Sequence, residues 1–403
     1  MELVVSHEAF ADAVAWAARS LPARPTSAIL GGLLLRAGTD VESGGAGLGS
    51  GTTAAELMTV SGFDYETSAT AGAVARVAVG GSVLVSGRLL AEITRALPRD
   101  EVAITTMGSK VVIACGGYEY TLQSMPIDDY PHLPAMPASV GDVSAALLTA
   151  AVAQVAVAAG RDEALPFLTG LRIELGSDTL RFVATDRYRL AVREIPWTTS
   201  TDVGGAALVP ARIVQELTRS LPGSSRVGVA LSGMDGSGGA GAGEGLIGFS
   251  TADRESTARL LDGEFIKYDR IFPSSYAGCA VVETAPLVQA VKAIALVAER
   301  NAPLRLAFSA GSVRVEASSG DTAQATVTLD AAFDGEDFAL AANPAYLLDG
   351  LNSLHAPYAQ LSFTTSTKPA VLTGRSDSYA NPEDPMAAEL GYRYLFLPLR
   401  QLG

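Results

Sequence analysis

The feature that most constrains the fold of this 403-residue chain is an internal repeat. The segment RLLAEITRALP (88–98) recurs as RIVQELTRSLP (212–222), with six of the eleven positions identical. Apolar residues at helical spacing, followed by proline, predict an amphipathic helix in both copies, with Arg88 and Arg95 on a face of their own. Residues 344–354 keep the apolar spacing but lack the arginines. We therefore expect three copies of a unit that contains this helix.

A second helical pattern and several strand-like runs accompany each copy. Alanine-rich segments with helical spacing lie at 8–20, 143–159 and 286–300. Strand-like runs lie at 29–36, 56–60, 111–114, 118–123, 167–175, 180–184, 255–261, 304–309, 312–317, 360–364 and 392–397. The expected fold class is α+β, with two helices and several antiparallel strands per repeat.

Turn-rich segments predict where the repeats are joined. The proline-rich segment 126–139 and the segment 272–281 separate the last strand of one repeat from the first helix of the next. The predicted domains are therefore 1–137, 138–278 and 279–403. Residues 43–51 and 232–245 consist almost entirely of glycine, serine and alanine, which predicts flexible hairpin tips.

The formal net charge of −14 excludes a protein that adheres to nucleic acid by overall attraction. Any DNA contact must therefore come from a local basic stripe. No apolar run is long enough to span a membrane, and residues 1–10 lack the basic and apolar regions of a signal peptide. The two cysteines, Cys115 and Cys279, are far apart and fit a reduced compartment. We expect a cytoplasmic protein whose cysteines are small buried side chains.

Catalytic and metal-binding patterns are missing from the sequence. The three histidines are scattered, and none has the neighbouring cysteines or carboxylates of a metal site. The glycine-rich segments lack the lysine followed by serine or threonine that ends a phosphate-binding loop. The acidic pairs at 128–129 and 383–384 lie beside prolines, where solvated loop carboxylates are common. We expect no enzyme activity, no cofactor and no metal.

Four segments carry a resemblance to a known family. They are RPTSAIL (24–30), ATDRYRLAV (184–192), LDGEF (261–265) followed by Tyr268, and YLFLPLR (394–400). With the threefold repeat, they make the chain resemble the bacterial DNA polymerase III beta subunit, the beta sliding clamp, over essentially its whole length. The alanine-rich composition is similar to that of actinobacterial members.

The resemblance implies a head-to-tail homodimer whose six domains form a ring around double-stranded DNA. Helices with basic faces would line the pore and contact the phosphate backbone without reading sequence, so that the ring can slide. The acidic residues would lie on the outer surface. For any single arginine, a solvated helix face explains its presence equally well. The pore candidates are Arg24, Arg88, Arg95, Arg161, Arg212, Arg219, Lys292 and Arg300.

The resemblance also implies a hydrophobic pocket, between the second and third domains, that binds short linear peptides. Its expected partners are the replicative DNA polymerase alpha subunit, the clamp loader, and repair and translesion polymerases. Aliphatic side chains would bury a leucine or phenylalanine of the peptide, and arginines at the rim would hold its polar groups. The pocket residues would be Leu168, Thr185, Arg187, Tyr188, Arg189, Leu190, Ile266, Arg270, Ile271, Pro369, Val371, Leu397, Pro398, Leu399 and Arg400.

The pocket departs from the family pattern at several positions. Family members often have proline at the position of Ile266, methionine at that of Leu397 or Leu399, and leucine at that of Gln401. These departures leave open a specialised second-copy clamp with an altered pocket, for example one that resists an inhibitor. A second alternative is a clamp-like scaffold that no longer loads on DNA.

The dimer interface implied by the resemblance pairs an edge strand of the first domain with the third domain. Tyr120 and Leu122 would lie on the edge strand, and Leu296 would lie on the opposing surface. The two residues alternate with polar Glu119 and Thr121, as in a half-buried strand. An ordinary internal strand would show the same alternation.

Overall fold

A computed structural model describes residues 1–38, 57–200, 204–221, 225–232, 245–299, 302–319, 322–378 and 391–399. In these ranges the chain forms helices α1 (His7–Ala17), α2 (Gly87–Ala96), α3 (Ala145–Ala156), α4 (Pro166–Thr169), α5 (Ala211–Thr218), α6 (Thr284–Ala295) and α7 (Pro344–Ser353). Short 3-10 helices lie at Ala18–Ser20, Ala28–Gly31, Ile127–Asp129 and Asp269–Ile271.

The strands in chain order are β1 (Glu2–Ser6), β2 (Gly32–Ala37), β3 (Leu57–Phe63), β4 (Thr67–Val79), β5 (Gly81–Ser86), β6 (Glu101–Met107), β7 (Lys110–Cys115), β8 (Tyr118–Met125), β9 (Ser139–Ser144), β10 (Gly170–Leu175), β11 (Thr179–Thr185), β12 (Arg189–Pro196), β13 (Thr198–Thr199), β14 (Gly205–Pro210), β15 (Arg226–Leu231), β16 (Leu246–Ser250), β17 (Arg254–Arg259), β18 (Gly278–Glu283), β19 (Leu304–Ser309), β20 (Ser312–Ser319), β21 (Ala323–Asp330), β22 (Ala332–Asp334), β23 (Phe338–Ala342), β24 (Tyr358–Phe363), β25 (Ala370–Arg375) and β26 (Tyr392–Phe396).

The first of two compact units consists of residues Met1–Ala146, Trp197–Val203 and Arg212–Leu260. Its strands form one 13-stranded antiparallel sheet in the order β1-β6-β7-β8-β5-β2-β3-β4-β17-β16-β15-β9-β13. Pairing of β4 with β17 joins strands of the first and second repeats. Helices α1 and α2 pack against each other, and α1 also packs on β3 and β4. The core between the helices and the sheet includes Phe10, Trp16 and Leu90, all nearly inaccessible to solvent.

The second unit consists of residues Leu147–Pro196, Gly204–Ala211 and Leu261–Gly403. It contains a nine-stranded antiparallel sheet in the order β14-β10-β11-β12-β26-β25-β24-β18-β22 and a four-stranded sheet in the order β21-β20-β19-β23. Pairing of β12 with β26, with Leu190 opposite Leu395, joins strands of the second and third repeats. Helices α6 and α7 pack against each other. Each unit therefore combines strands from two successive repeats.

Local sequence explains where the helices begin and which side they bury. Helix α1 begins after Ser6, whose hydroxyl accepts a hydrogen bond from the Ala9 amide at 3.3 Å. Helix α7 begins with a proline after Asn343, and the Asn343 side-chain oxygen accepts hydrogen bonds from the amides of Ala345 and Tyr346. Helix α2 buries Leu90 and Ile93, as the spacing predicts, but Leu89 remains 47% exposed. The buried stripe of α2 is thus narrower than the apolar stripe in its sequence, which includes Leu89.

The structure confirms the α+β class and two helices of at least eight residues per repeat. The predicted linker 272–281 is wrong at its end, because β18 begins at Gly278 and pairs with β24. Part of the predicted strand 167–175 is wrong as well, since residues 167–169 belong to the helical turn α4. The domain boundaries remain predictions. Of the predicted flexible tips, residues 43–51 and 233–244 lie outside the described residues.

Both cysteines are buried, as the sequence predicts. None of the helices in the described part of the chain is both long and apolar enough to cross a membrane. Within the same ranges, no three histidine, cysteine, aspartate or glutamate side chains are grouped so that they could hold a metal ion.

Candidate functional site

The basic residues predicted for a DNA-facing surface are exposed wherever the structure describes them. Arg88 and Arg95 lie on α2, Arg212 lies on α5, and Lys292 lies on α6. The other predicted basic residues that the structure describes lie in segments that follow helices, not within the helices. These are Arg24, Arg161 and Arg219. Arg300 lies outside the described residues.

Helices α2 and α5 present the same charge pattern to solvent. On α2, Arg88, Glu92 and Arg95 are exposed, whereas Leu90, Ala91 and Ile93 are buried. This spacing places the charged side chains on the solvent side of an amphipathic helix.

In the second copy, Arg212, Glu216 and Arg219 are exposed in the same order, and Val214 and Leu217 are buried. The Arg212 Nε lies 3.0 Å from the Glu216 Oε1 in an exposed pair. Such a pair contributes little to stability, so the guanidinium can exchange its partner for a phosphate at small cost.

The resemblance implies two pore helices with basic faces in each repeat, six in all, and this expectation is wrong for three of the six long helices. Helix α3 has no charged residue, α7 has Asp349 as its single charged side chain, and α1 carries Glu8 and Asp12. The arginines and the lysine that lie on these helices are therefore confined to α2, α5 and α6, and on α5 Glu216 offsets Arg212. The periodicity identified amphipathic helices correctly, but periodicity does not determine the charge of the exposed side.

In the second unit, a tight turn between β11 and β12 presents two of the predicted pocket residues. The Asp186 carboxylate accepts hydrogen bonds from the Tyr188 and Arg189 amides, both at 3.0 Å. The Thr185 hydroxyl accepts one from the Arg187 amide at 3.1 Å. Arg187 has a φ of +80°, a left-handed conformation that costs a residue with a Cβ some energy. Side-chain hydrogen bonds thus hold a strained turn whose tip exposes Arg187 and Tyr188.

Arg189 is not at the pocket rim, where the sequence analysis placed it. It is 6% exposed, and its Nε and Nη1 lie 3.0 Å and 2.5 Å from the carboxylate oxygens of Asp186 and Asp349. Its guanidinium lies over the ring of Tyr346, 4.6 Å from the centroid. Burial alone would lower the pKa of Arg189, but Tyr394, Asp349 and Asp186 raise it above its usual value. Arg189 therefore stays charged and links Asp186 of the turn to Asp349 beneath the turn.

A segment between β17 and β18 forms another part of the site, and aromatic residues anchor it to the sheet. The hydroxyl of buried Tyr268 donates a hydrogen bond to Glu174 at 2.8 Å. Burial raises the pKa of Tyr268 to about 12, so this donor is protonated at neutral pH. Phe272 lies beneath the guanidinium of Arg393, 4.5 Å from its ring centroid. These contacts fix the segment that carries Ile266 and Ile271.

The C-terminal strand end forms the facing part of the site. The Leu397 amide donates to the Tyr188 carbonyl at 2.8 Å, and the Leu399 amide donates to the Ala341 carbonyl at 2.8 Å. Beneath them lies an apolar cluster that includes Leu190, Val371 and Leu395, with Ile266 packed against it. The structure thus joins residues from the turn, the 261–277 segment and the C-terminal segment in one unit.

The predicted pocket residues fall into three groups by exposure. Arg187, Tyr188, Arg270 and Ile271 are exposed; Ile266, Pro369, Leu397, Pro398 and Leu399 are half-buried; and Leu168, Thr185, Arg189, Leu190 and Val371 are buried. Arg400 lies outside the described residues. Half-buried aliphatic side chains beside exposed arginine and tyrosine suit a ligand with both apolar and polar groups.

Tyr346 belongs to this site and was missed by sequence reasoning. Its ring stacks on that of Tyr188, with centroids 6.3 Å apart. It is half-buried, and burial raises its pKa. The signal that could have identified it is its place in the first turn of a predicted helix, with Pro344 two residues before it. Its proximity to Tyr188 depends on contacts between residues far apart in sequence.

Among the strands with an open edge within the described residues, β8 and β21 lie in the regions expected to form the dimer interface. Residues 118–123 of β8 pair with β7 on one side. Strand β5 pairs with β8 only through Ser124 and Met125, so the other edge of residues 118–123 is free. Strand β21 is the last strand of the four-stranded sheet in the second unit. Free edges of this kind are sites for pairing with another chain.

The residues predicted for the dimer interface differ in exposure. Tyr120 on β8 is half-buried, whereas Leu122 is 4% exposed and belongs to the core of its own unit. Leu122 can therefore contribute to an interface through its backbone only. Leu296 caps the C-terminal end of α6, a helix that packs on β20 and β21, and it is 87% exposed. Single exposed leucines are common on protein surfaces, so exposure alone does not assign Leu296 to an interface.

Comparison with known proteins identifies three successive matches to family models. Residues 52–134 match the N-terminal domain, residues 142–267 the central domain and residues 269–386 the C-terminal domain of the DNA polymerase III beta subunit. The chain is 47% identical to the beta sliding clamp of Streptomyces coelicolor, with 100% of each chain covered. It is 36% identical to the beta sliding clamp homolog GriR of Streptomyces muensis, with 99% of each covered. The DnaN sliding clamp of Pseudomonas aeruginosa bound to griselimycin superimposes with a TM-score of 0.85 at 22% identity, covering 100% of both chains.

Proposed function

Because the chain belongs to the DNA polymerase III beta subunit family, the bacterial sliding clamps, we propose that the exposed basic helix faces contact duplex DNA inside its ring. The protein is a DNA sliding clamp that works as a homodimer, encircles DNA and binds the replicative polymerase and other partners. Sliding clamps are processivity factors, so the protein is not an enzyme.

The repeated charge pattern on α2 and α5 is the observation that supports this placement of DNA. In a chain of net charge −14, Arg88, Arg95 and Arg212 are exposed on helices, where they can meet phosphates. Contacts of this kind do not depend on base sequence, so the ring can move along DNA while it remains attached. The acidic side chains disfavour adhesion of DNA elsewhere on the surface. We propose that Lys292, Arg24, Arg161, Arg219 and Arg300 add to the same surface.

We further propose that the site around Tyr188 and Leu399 is the pocket for partner peptides. Half-buried Ile266, Leu397 and Leu399 would cover an apolar peptide side chain, and exposed Arg187 and Arg270 would pair with its polar or acidic groups. The partners expected here are the polymerase alpha subunit, the clamp loader, and repair and translesion polymerases. Because the DNA they act on lies in the bacterial cytoplasm, we propose that the clamp is cytoplasmic.

Neither alternative function is favoured. At 47%, identity to the relative named beta sliding clamp exceeds the 36% identity to the relative named a beta sliding clamp homolog, so the specialised second copy is not favoured. The exposed helix arginines argue against a scaffold that has lost its contact with DNA.

A primer-extension assay tests the function as a whole. With clamp loader and polymerase on a primed circular template, the protein is expected to increase product length by about tenfold or more, because a tethered polymerase rebinds at high effective concentration. On a linear template with free ends, the gain should be lost as the ring slides off. Equal stimulation on both templates would indicate adhesion rather than encirclement, and no stimulation on the circle would refute the function.

Replacing Leu399 with alanine is expected to weaken binding of a peptide with adjacent leucine and phenylalanine by about 10- to 30-fold. Removing a side chain that covers an apolar ligand group costs roughly 1.5 to 2 kcal/mol. Fluorescence anisotropy of the labelled peptide measures the affinity. Leu221→Ala is the matched control, because Leu221 is also half-buried but lies in the first unit. Unchanged affinity of Leu399→Ala would show that the pocket has been misplaced.

A further inference from the structure

We propose that Asp349 is a positioning residue for peptide binding: it holds Arg189, and Arg189 holds the turn that presents Arg187 and Tyr188. This inference rests on the function proposed for the pocket. Asp349 lies on α7, outside the segments that form the turn, and no contact with a peptide is assigned to it.

The turn by itself is only partly stabilised. Its backbone is capped by Asp186 and Thr185, but Arg187 occupies a left-handed conformation that disfavours the observed shape. Arg189 is the first residue of β12, immediately after the turn, so its position determines where the turn meets the sheet. An additional anchor at Arg189 is therefore the most direct way to hold the turn in one conformation.

Asp349 supplies that anchor from a different element. Its Oδ2 lies 2.5 Å from the Arg189 Nη1, while Asp186 from the turn takes the Nε on the other side of the guanidinium. The planar guanidinium is thereby held between helix and turn by two charged hydrogen bonds. The Asp349 side chain is 41% exposed, whereas that of Asp186 is 15% exposed. Asp349 can thus be changed with less disturbance of the turn itself.

The same helix also positions the exposed tyrosine of the turn. Tyr346, one helical turn before Asp349, stacks on Tyr188 and lies beneath the Arg189 guanidinium. The Tyr188 carbonyl in turn accepts the Leu397 amide, so the turn and the C-terminal wall of the pocket move together. Loss of the Asp349 contact should therefore increase the mobility of Tyr188, and of the C-terminal wall attached to it, relative to α7. A mobile turn must be ordered when the peptide binds, which lowers affinity.

The expected result for Asp349→Ala is about a tenfold loss of affinity for the fluorescein-labelled peptide with adjacent leucine and phenylalanine. Amide hydrogen exchange should accelerate at Tyr188 and Arg189. Exchange in Phe182, in the middle of β11, should be unchanged. Glu316→Ala is the matched control, because it breaks comparably short pairs with Arg305 and Arg314 on the four-stranded sheet, and it should bind the peptide normally.

A double-mutant cycle with Tyr188→Ala distinguishes positioning from general destabilisation. If Asp349 acts through the turn, Asp349→Ala should reduce affinity by less than about twofold once the Tyr188 ring is absent. An equal loss in both backgrounds would overturn the proposal. So would wild-type affinity of Asp349→Ala, or of Asp349→Leu, which is similar in size but has no hydrogen-bond acceptor and serves if the alanine variant does not fold.

The outcomes also separate this inference from the function on which it rests. If the wild-type protein binds the peptide and Leu399→Ala weakens it, the pocket is correctly placed, and an unaffected Asp349 variant refutes the positioning role alone. If the wild-type protein fails to bind the peptide, the proposed pocket and the inference both fail.

Discussion

Replacing Arg88, Arg95 and Arg212 with glutamine is expected to reduce loading onto circular DNA by about tenfold or more at physiological salt, relative to the wild-type protein. The three arginines are exposed on helices α2 and α5. Each phosphate contact that is lost also removes the entropy gained from counterion release, which contributes a slope of roughly 0.9 to the salt dependence of binding. The variant should therefore depend less steeply on salt as well as load less.

The measurement is the amount of protein that stays with a nicked circular plasmid during gel filtration, over a series of salt concentrations. The control replaces Arg76, Arg226 and Arg259 with glutamine, because these exposed arginines lie on strands of the same unit. Both variants lose the same three charges. Equal losses of loading would mean that net charge, and not the helix faces, determines the contact with DNA.

Replacing Leu296 with aspartate is expected to convert the homodimer largely to monomer, with a dissociation constant raised about 100-fold, or roughly 2.7 kcal/mol. Leu296 is 87% exposed in the protomer, so the change should cost the fold little. We propose that the partner chain covers this leucine when the free edge of β8 pairs with the four-stranded sheet at β21. A carboxylate buried there without a partner would oppose assembly.

Sedimentation velocity over a range of concentrations measures the association. Tyr65→Asp is the control, since Tyr65 is also a large exposed residue, at 56%, but belongs to none of the proposed sites. Because an open ring cannot stay on DNA, the Leu296 variant should also fail to stimulate primer extension. A Leu296→Asp variant that remains dimeric at nanomolar concentration would exclude this surface from the interface.

Much of the candidate site could be predicted from sequence, and the exceptions share a cause. The resemblance selected the turn at 185–190, the 266–271 segment and the C-terminal residues, which the structure brings together in one unit. It did not reveal that Arg189 is buried between two carboxylates, or that Tyr346 stacks on Tyr188. Those properties depend on where α7 lies relative to β12. The spacing of residues within either segment carries no information about that relative position.

The sequence by itself determined the threefold organisation, the α+β class and the arginines that recur in the repeats at 88–98 and 212–222. These properties follow from local periodicity, because the same spacing that buries Leu90 and Ile93 leaves Arg88 and Arg95 exposed. The tertiary structure alone decided that strands of successive repeats join into shared sheets through β4 with β17 and β12 with β26. It also decided that Leu89 stays exposed and that Asp349 reaches Arg189. Such pairings depend on the packing of segments far apart in the chain, where the free energy comes from contacts that no local pattern specifies.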